Sequence, residues 1–161
     1  MIMKDWTGKR VLILGAARQG QALASWLARH GACVTLSDKR DETELEPARQ
    51  ALADLPIEWA FGGHPLELLD HCEVLCLSGG VPLTMPIVTE AQKRGIPLSN
   101  DTQIFMEVAP CKTVGITGSA GKTTTTALVG KMAEASYTEK TARAWIGGNI
   151  GDPLINHADE M

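Results

Sequence analysis

Val11-Leu12-Ile13-Leu14-Gly15-Ala16-Ala17-Arg18-Gln19-Gly20 is the stretch that decides the fold. Its first four residues are apolar without alternation, the pattern of a strand covered on both faces, as in a parallel sheet between helices. The glycine-bounded turn runs directly into a helix-period segment, residues 19–30, that places Leu23, Trp26 and Leu27 on one stripe. The same alternation then repeats. A strand is predicted at Cys33–Ser37, a helix over residues 43–54 with Thr43 and Glu46 at capping-box spacing, and a strand at 57–61 closed by Gly62-Gly63. A strand at 73–77, a helix over 86–94, a short strand at 96–98 and a helix or turn over Asp101–Val108 follow. Strand and helix in strict succession define an α/β domain with a doubly wound parallel sheet, assigned to residues 1–108.

Beyond Ala109 the pattern restarts: a strand at 113–117, a glycine turn, a helix over Lys122–Ser136, a strand at 142–146, a Gly147-Gly148 loop and a turn or helix from Pro153. Roughly fifty residues are too few for an open α/β domain, whose sheet normally has about 5–6 strands. Residues 109–161 are therefore expected to be the incomplete start of a second α/β domain. From Lys112 onward they should leave strand edges and apolar faces exposed.

The sharpest chemical signal lies in that second part: Gly115-Ile116-Thr117-Gly118-Ser119-Ala120-Gly121-Lys122-Thr123-Thr124. A glycine turn between strand and helix lets backbone N–H groups approach phosphate oxygens, and the helix N-terminus adds partial positive charge. Gly118, Ser119, Ala120, Gly121 and Thr124 would line such a loop. Lys122 would neutralise phosphate charge, and the Thr123 hydroxyl would hold Mg²⁺, so ATP with Mg²⁺ is the expected cofactor pair. The strict P-loop spacing would need glycine at Ile116, so what remains is T-G-x-x-G-K-T. The bland alternative is a glycine-rich turn carrying an exposed lysine; strand, turn chemistry, lysine, hydroxyl and helix together argue against it.

Gly15 to Gly20 reads G-x-A-x-x-G, with Ala17 at the middle glycine of a dinucleotide fingerprint, and Asp38 ends the second strand where a ribose-binding acid would sit. Residues 1–108 are thus open to an NAD-binding oxidoreductase or regulatory reading, and to a structural turn with a capping aspartate.

The T-G-x-x-G-K-T variant resembles that of the Mur ligase and folylpolyglutamate synthetase superfamily, in which ATP phosphorylates a carboxylate before an amine attacks it. Within it, three more segments resemble the ligases that add D-glutamate. Ser37-Asp38-Lys39-Arg40 is similar to their uridine-binding D-[TS]-R, Ser78-Gly79-Gly80-Val81 to S-P-G-[IV], and Gly147-Gly148-Asn149-Ile150-Gly151 to G-G-N-I-G. Lys39, Gly79 and Ala120 depart from the usual family residues. The resemblance covers nearly the whole chain and implies a Rossmann-like first domain that binds UDP rather than NAD, followed by a P-loop ATPase domain. It implies UDP-N-acetylmuramoyl-L-alanine as ligand, with D-glutamate as the second substrate of the whole enzyme. Asp38 would accept from uracil and Arg40 would pack on the nucleotide. Lys39, Ser78 and Gly80 would line the uridine site, Arg18 and Gln19 would offer backbone N–H groups to the diphosphate, and Asn149 would contact the muramoyl-peptide part. The family's acidic Mg²⁺ ligand, central-domain His, modified Lys and C-terminal domain fall outside the sequence, so the polypeptide alone is expected to bind but not to turn over.

Composition excludes other classes. A net charge of -4 without a Lys/Arg-rich run lacks the footprint for nucleic acid or anionic lipid, and no stretch approaches the roughly 20 apolar residues of a membrane span. With no signal-peptide pattern, a cytoplasmic location is expected. Cys33, Cys72, Cys76 and Cys111 have no zinc spacing, and most are expected to act as small buried hydrophobes. His30 is read at a helix end, where a cation is favourable, and His64 in a turn; His71 and His157, without carboxylate or thiol partners at ligand spacing, are read as structural or exposed, and the four tryptophans as packing residues.

Overall fold

The computed structural model describes residues 5–137, 143–148 and 151–161. The short strand-like runs form a five-stranded parallel sheet of β1 (Arg10–Leu14), β2 (Cys33–Ser37), β3 (Ile57–Ala60), β4 (Val74–Leu77) and β5 (Leu98–Ser99). Its order is β3-β2-β1-β4-β5. β1 is central, with Val11 in register with Val34 on one side and Val74 on the other. Because neighbouring residues alternate faces, this register sends Val11, Ile13, Val34, Leu36, Val74 and Cys76 to one layer. Leu12, Leu14 and Leu75 go to the other layer. The first layer is covered by α1 (Arg18–Arg29), whose Leu23, Trp26 and Leu27 are buried against it, together with α2 (Glu46–Ala51) and α4 (Asp101–Val108). The second is covered by α3 (Pro86–Lys93), through Ile87, Val88 and Ala91, and by a 3₁₀ turn at Leu66–Leu69. Each large aliphatic side chain removed from water in these layers contributes about 1.5–3 kcal/mol. The predicted doubly wound α/β sheet is the observed one.

The chain leaves β1 first towards β2 and β3, then crosses to β4 and β5. The strand order therefore reverses beside β1, which opens a crevice at the carboxyl ends of β1 and β4.

Several local expectations are corrected. The second helix is shorter than predicted, and its capping box lies elsewhere. Glu44 N–H donates to the Asp41 carboxylate at 2.9 Å and Asp41 N–H to the Glu44 carboxylate at 3.2 Å, so the reciprocal pair sits two residues upstream of Thr43 and Glu46. Leu45 stands at the N-cap of α2 with no side-chain cap hydrogen bond, so the reciprocal pair closes the turn ahead of the helix rather than the helix itself. α4 is a true helix capped by Asn100, whose Oδ1 accepts from Gln103 N–H at 2.8 Å. Asp101 is buried at the start of α4, and burial pushes its carboxyl pKa up.

The second part departs furthest from expectation. Residues 113–117 form no strand, and neither do residues 143–146; Ala142 of that predicted strand lies outside the described residues. A lone extended segment has no neighbour to complete its backbone hydrogen bonds, so an apolar run alone does not make a strand. α5 (Lys122–Ser136) does form, yet only Gly130 is buried, and Leu128 and Met132 are left exposed. The expectation of exposure from Lys112 onward fails at the end of the chain. A 3₁₀ turn at Leu154–His157 folds back between α1 and α4 and buries Ile155 and Ala158 in the first layer's core.

Candidate functional site at the carboxyl ends of β1, β2 and β4

The site starts from two glycines. Gly15 ends β1 with φ +94°, a conformation that disfavours a side chain, and its N–H donates to Ser37 O at 2.7 Å. Gly20 lies in the first turn of α1, where a Cβ would fall 1.8 Å from Gly15 O and 2.6 Å from Ser78 Oγ. These contacts let the loop pass tightly over the strand ends. α1 has no side-chain cap and no acidic residue in its first turn. Its leading N–H groups therefore lack intrahelical acceptors, and its dipole points positive charge into the crevice. Arg18 and Gln19 lie in that first turn, the helix starting one residue earlier than the periodicity placed it.

Asp38 is buried beneath this loop, and its carboxylate closes four hydrogen bonds. Oδ2 accepts from Ala16 N–H at 2.7 Å and from Arg40 Nη2 at 2.9 Å. Oδ1 accepts from Arg40 N–H and Arg40 Nε, each at 3.0 Å. Four donors fill the lone pairs of a carboxylate. The Arg40 side chain, ahead of the backbone N–H groups of Arg40 and Ala16, holds the Asp38 carboxyl well below the usual carboxylate range. The sign follows from linkage: a depressed folded pKa gives stability that is complete above the unfolded value, near pH 4, and is lost as pH falls towards the folded value. Asp38→Asn is expected to flatten this acid limb in pH-dependent denaturation and to cost about 1–2 kcal/mol at pH 7, since Arg40 is half exposed.

Ser78 joins the far side of the crevice. It is buried, and its hydroxyl donates to Gly15 O at 2.7 Å, tying the β4 loop to the β1 loop. Gln19 Oε1 accepts from Gly79 N–H at 3.3 Å across the same gap. Gly80 is exposed with φ +93°, and Lys39 is exposed at the rim. Arg18, Gln19, Asp38, Lys39, Arg40, Ser78 and Gly80 thus converge on one crevice, whereas Asn149 lies outside the described residues.

Sequence reasoning missed one member of this cluster. His64, taken as a turn residue, is half-buried with Nδ1 2.8 Å from Ser37 Oγ, and burial pushes its pKa below the ordinary histidine value while Asp38 pulls the other way. The available signal was its position in Gly62-Gly63-His64, directly after β3, at the same sheet edge as Asp38. His157 Nε2 lies 2.6 Å from Asp152 Oδ2, a structural pairing of neighbours in the last turn. Of the cysteines, Cys76 is buried and Cys72 partly so, but Cys33 and Cys111 are exposed.

The second glycine loop sits apart, before α5. Gly118 and Gly121 have φ of +156° and +76°, and Gly121 caps α5 without a side-chain acceptor. Lys122 Nζ turns back onto Gly118 O at 2.5 Å, while Thr123 and Thr124 are exposed. Uncapped helix N–H groups, an ammonium and a hydroxyl make a donor set suited to a polyphosphate with its divalent cation. The strand that would brace this loop is absent. No cluster of three metal-ligating side chains occurs among the described residues, and none of their helices is long and apolar enough to cross a membrane.

The family described as the N-terminal domain of MurD-like Mur ligases matches residues 9–100. The UDP-N-acetylmuramoylalanine--D-glutamate ligase of Enterococcus faecalis is 40% identical over 156 residues, covering 96% of this chain and 34% of that protein. The same-named protein of Shouchella clausii is 42% identical over 149 residues, covering 92% of this chain and 32% of its own length. The chain thus spans about a third of the curated relatives it matches. Among solved structures, a pseudomurein peptide ligase type C from Methanothermus fervidus superposes with TM-score 0.52 at 25% identity, over 78% of this chain and 26% of that one. The UDP-N-acetylmuramate:L-alanyl-gamma-D-glutamyl-meso-diaminopimelate ligase from Neisseria meningitides has the same fold, with TM-score 0.56 at 21% identity over 91% of this chain and 46% of that one.

Proposed function

The chain belongs to the MurD-like Mur ligases, and from that premise we propose that it holds the UDP part of UDP-N-acetylmuramoyl-L-alanine in the β1–β2–β4 crevice, as the leading portion of an ATP-dependent ligase that adds D-glutamate. In this reading residues 1–108 are the UDP-sugar domain and residues 109–161 begin the ATP-binding domain. The observation that carries it is the convergence of an uncapped helix N-terminus with Asp38, Arg40 and Ser78 at the switch point of the sheet.

The diphosphate lies on the first-turn N–H groups of α1, at Arg18 and Gln19. Uracil is read by Asp38, whose carboxylate is already saturated, so Arg40 is the group that yields. The Arg40 guanidinium, half-exposed and bonded to Asp38 through Nε and Nη2, swings off and packs on the base. The Ala16 and Arg40 N–H groups stay in place and keep the carboxylate ionised and oriented. Lys39 and Gly80 border the base and ribose, and Asn149 meets the muramoyl-peptide portion. ATP with Mg²⁺ supplies the phosphoryl group that activates the alanyl carboxylate. Lys122 leaves Gly118 O to neutralise phosphate charge, the amides of residues 118–121 and Thr124 orient it, and the Thr123 hydroxyl serves the cation. The location that fits this chemistry is the cytoplasm.

An NAD-binding reading of residues 1–108 fits less well, because Ala17 stands at the middle fingerprint glycine, where the backbone must approach a pyrophosphate. Calorimetric titration at low salt separates the two. Saturable binding of UDP-N-acetylmuramoyl-L-alanine, weakened at least tenfold in Asp38→Ala with far-UV circular dichroism unchanged, is the expected result. Binding of NAD⁺ with no response to the UDP-sugar overturns it.

A further inference from the structure

Ser37 ties the Asp38 turn to the loops on both sides of it. Its carbonyl accepts from Gly15 N–H at 2.7 Å, after β1, while the side chain of this buried residue meets the loop after β3. There Ser37 Oγ lies 3.0 Å from Gly63 O and 2.8 Å from His64 Nδ1. A hydroxyl has one proton to give, and a backbone carbonyl can only accept. The proton therefore goes to Gly63 O, and His64 Nδ1 must carry a hydrogen and donate to Ser37 Oγ. This fixes the tautomer of the ring, which is set by the hydrogen bonds its nitrogens make. Three backbone bonds stitch the same loop to the Asp38 turn: Asp38 N–H to Ala60 O at 3.0 Å, Gly62 N–H to Arg40 O at 2.9 Å and Gly63 N–H to Asp38 O at 3.1 Å. Gly62 and Gly63 have φ of +75° and +146°, and a Cβ at either would meet nothing within 4 Å. Hydrogen bonds rather than close packing hold this stretch, and the bond from His64 to Ser37 closes its end.

We propose that His64 is a positioning residue for the crevice: as the Nδ1–H form it donates to Ser37 Oγ and so holds the Asp38 to Arg40 turn in the shape that receives the nucleotide base. This rests on the UDP-sugar reading above. The donors run from His64 to Ser37 Oγ and from Ser37 to Gly63 O, and Gly63 N–H returns to Asp38 O, so imidazole, hydroxyl and both loops close one ring of bonds behind the turn. Removing the imidazole leaves the Ser37 hydroxyl on Gly63 O but releases the chain beyond it. The glycine stretch and the turn bonded to it then sample more conformations. A ligand has to order them on binding, and that cost lowers its affinity. His64 does this through Ser37, without touching the ligand.

Heteronuclear NMR of the ring nitrogens and backbone amides, with calorimetric titration of UDP, tests this on wild type, His64→Ala, His64→Asn and His64→Gln. An asparagine amide nitrogen stands where Nδ1 stands and can donate to Ser37 Oγ, whereas a glutamine amide reaches the place of Nε2. In ligand-free wild type at mildly alkaline pH, His64 is expected to carry its hydrogen on Nδ1; a ring protonated on Nε2 instead overturns the proposal whatever the chain binds. The amide resonances of Asp38 through Arg40, Gly62 and Gly63 are expected to move in His64→Ala and His64→Gln and to return towards wild type in His64→Asn. UDP affinity is expected to follow the same order, falling about three- to tenfold in His64→Ala and His64→Gln, the factor one net hydrogen bond is worth, and staying within about twofold in His64→Asn. Wild-type affinity in all three variants, or equal loss in His64→Asn and His64→Gln at matched Tm, overturns the positioning role. Failure of wild type to bind UDP counts against the UDP-sugar reading, and the ligand-free spectra still decide whether His64 holds the turn.

Discussion

Gly20→Ala is expected to lower stability by about 3 kcal/mol, at the upper end of overpacking costs, and to abolish binding in the β1–β4 crevice. The added methyl would lie 1.8 Å from Gly15 O and 2.6 Å from Ser78 Oγ. A serine hydroxyl can rotate away, but a carbonyl that terminates β1 cannot move without dragging the loop off the strand ends. The strain therefore falls on the Ser78 to Gly15 bridge and on the register between the first loop and α1, which set the spacing of any anion site there. Urea denaturation should show the midpoint shifted without a change in slope, with a fall in Tm of roughly 10 °C. Wild-type stability in Gly20→Ala would mean that the loop is not packed as described.

Ile155→Ala is expected to cost about 2–4 kcal/mol, but locally. Ile155 is 1% exposed, within a core otherwise built from α1, α4 and the sheet. It is the main apolar attachment of the last eleven described residues, with Leu154, Ala158 and Met161 around it. Truncating it should release the Leu154–His157 turn and the Asp159 contact to Trp26 without unfolding the sheet. Hydrogen exchange at Ala158 and Glu160, whose N–H groups close that turn, should quicken well before any change in β1 or β4. Loss of the whole sheet together with the turn would show instead that the two unfold as one unit.

The sheet was legible because its central strands β1 and β4 read as continuous apolar runs, the signature of parallel strands buried on both faces, with the other short runs spaced between helix-period segments. β2 begins and ends where the pattern placed it, and β1, β3 and β4 differ by a residue at one end. The crevice was legible for a related reason: Gly15, Asp38 and Ser78 each follow an apolar run, and every parallel strand delivers its carboxyl end to the same edge. What was not legible is pairing across sequence distance. Nothing local to Asp38 shows that Ala16 N–H reaches its carboxylate, and nothing local to Ser37 shows that His64 approaches it from the loop after β3. The strand predicted at 113–117 failed for the converse reason. Its residues have strand character, but a strand exists only where a neighbour supplies hydrogen bonds, and β-propensity records fitness for a half-buried surface more than a backbone preference. The return of residues 151–161 to α1 was equally hidden, since Ile155 in isolation reads as one more apolar residue near a chain end.

The most direct test of the UDP-site assignment is a ¹⁵N NMR titration of the chain with UDP, with NAD⁺ titrated in parallel. The assignment predicts saturable shifts confined to Ala16 through Gly20, Asp38 through Arg40, His64 and Ser78 through Gly80, and no comparable response to NAD⁺. Shifts from NAD⁺ but not UDP, or UDP shifts centred away from the carboxyl ends of β1, β2 and β4, would contradict it.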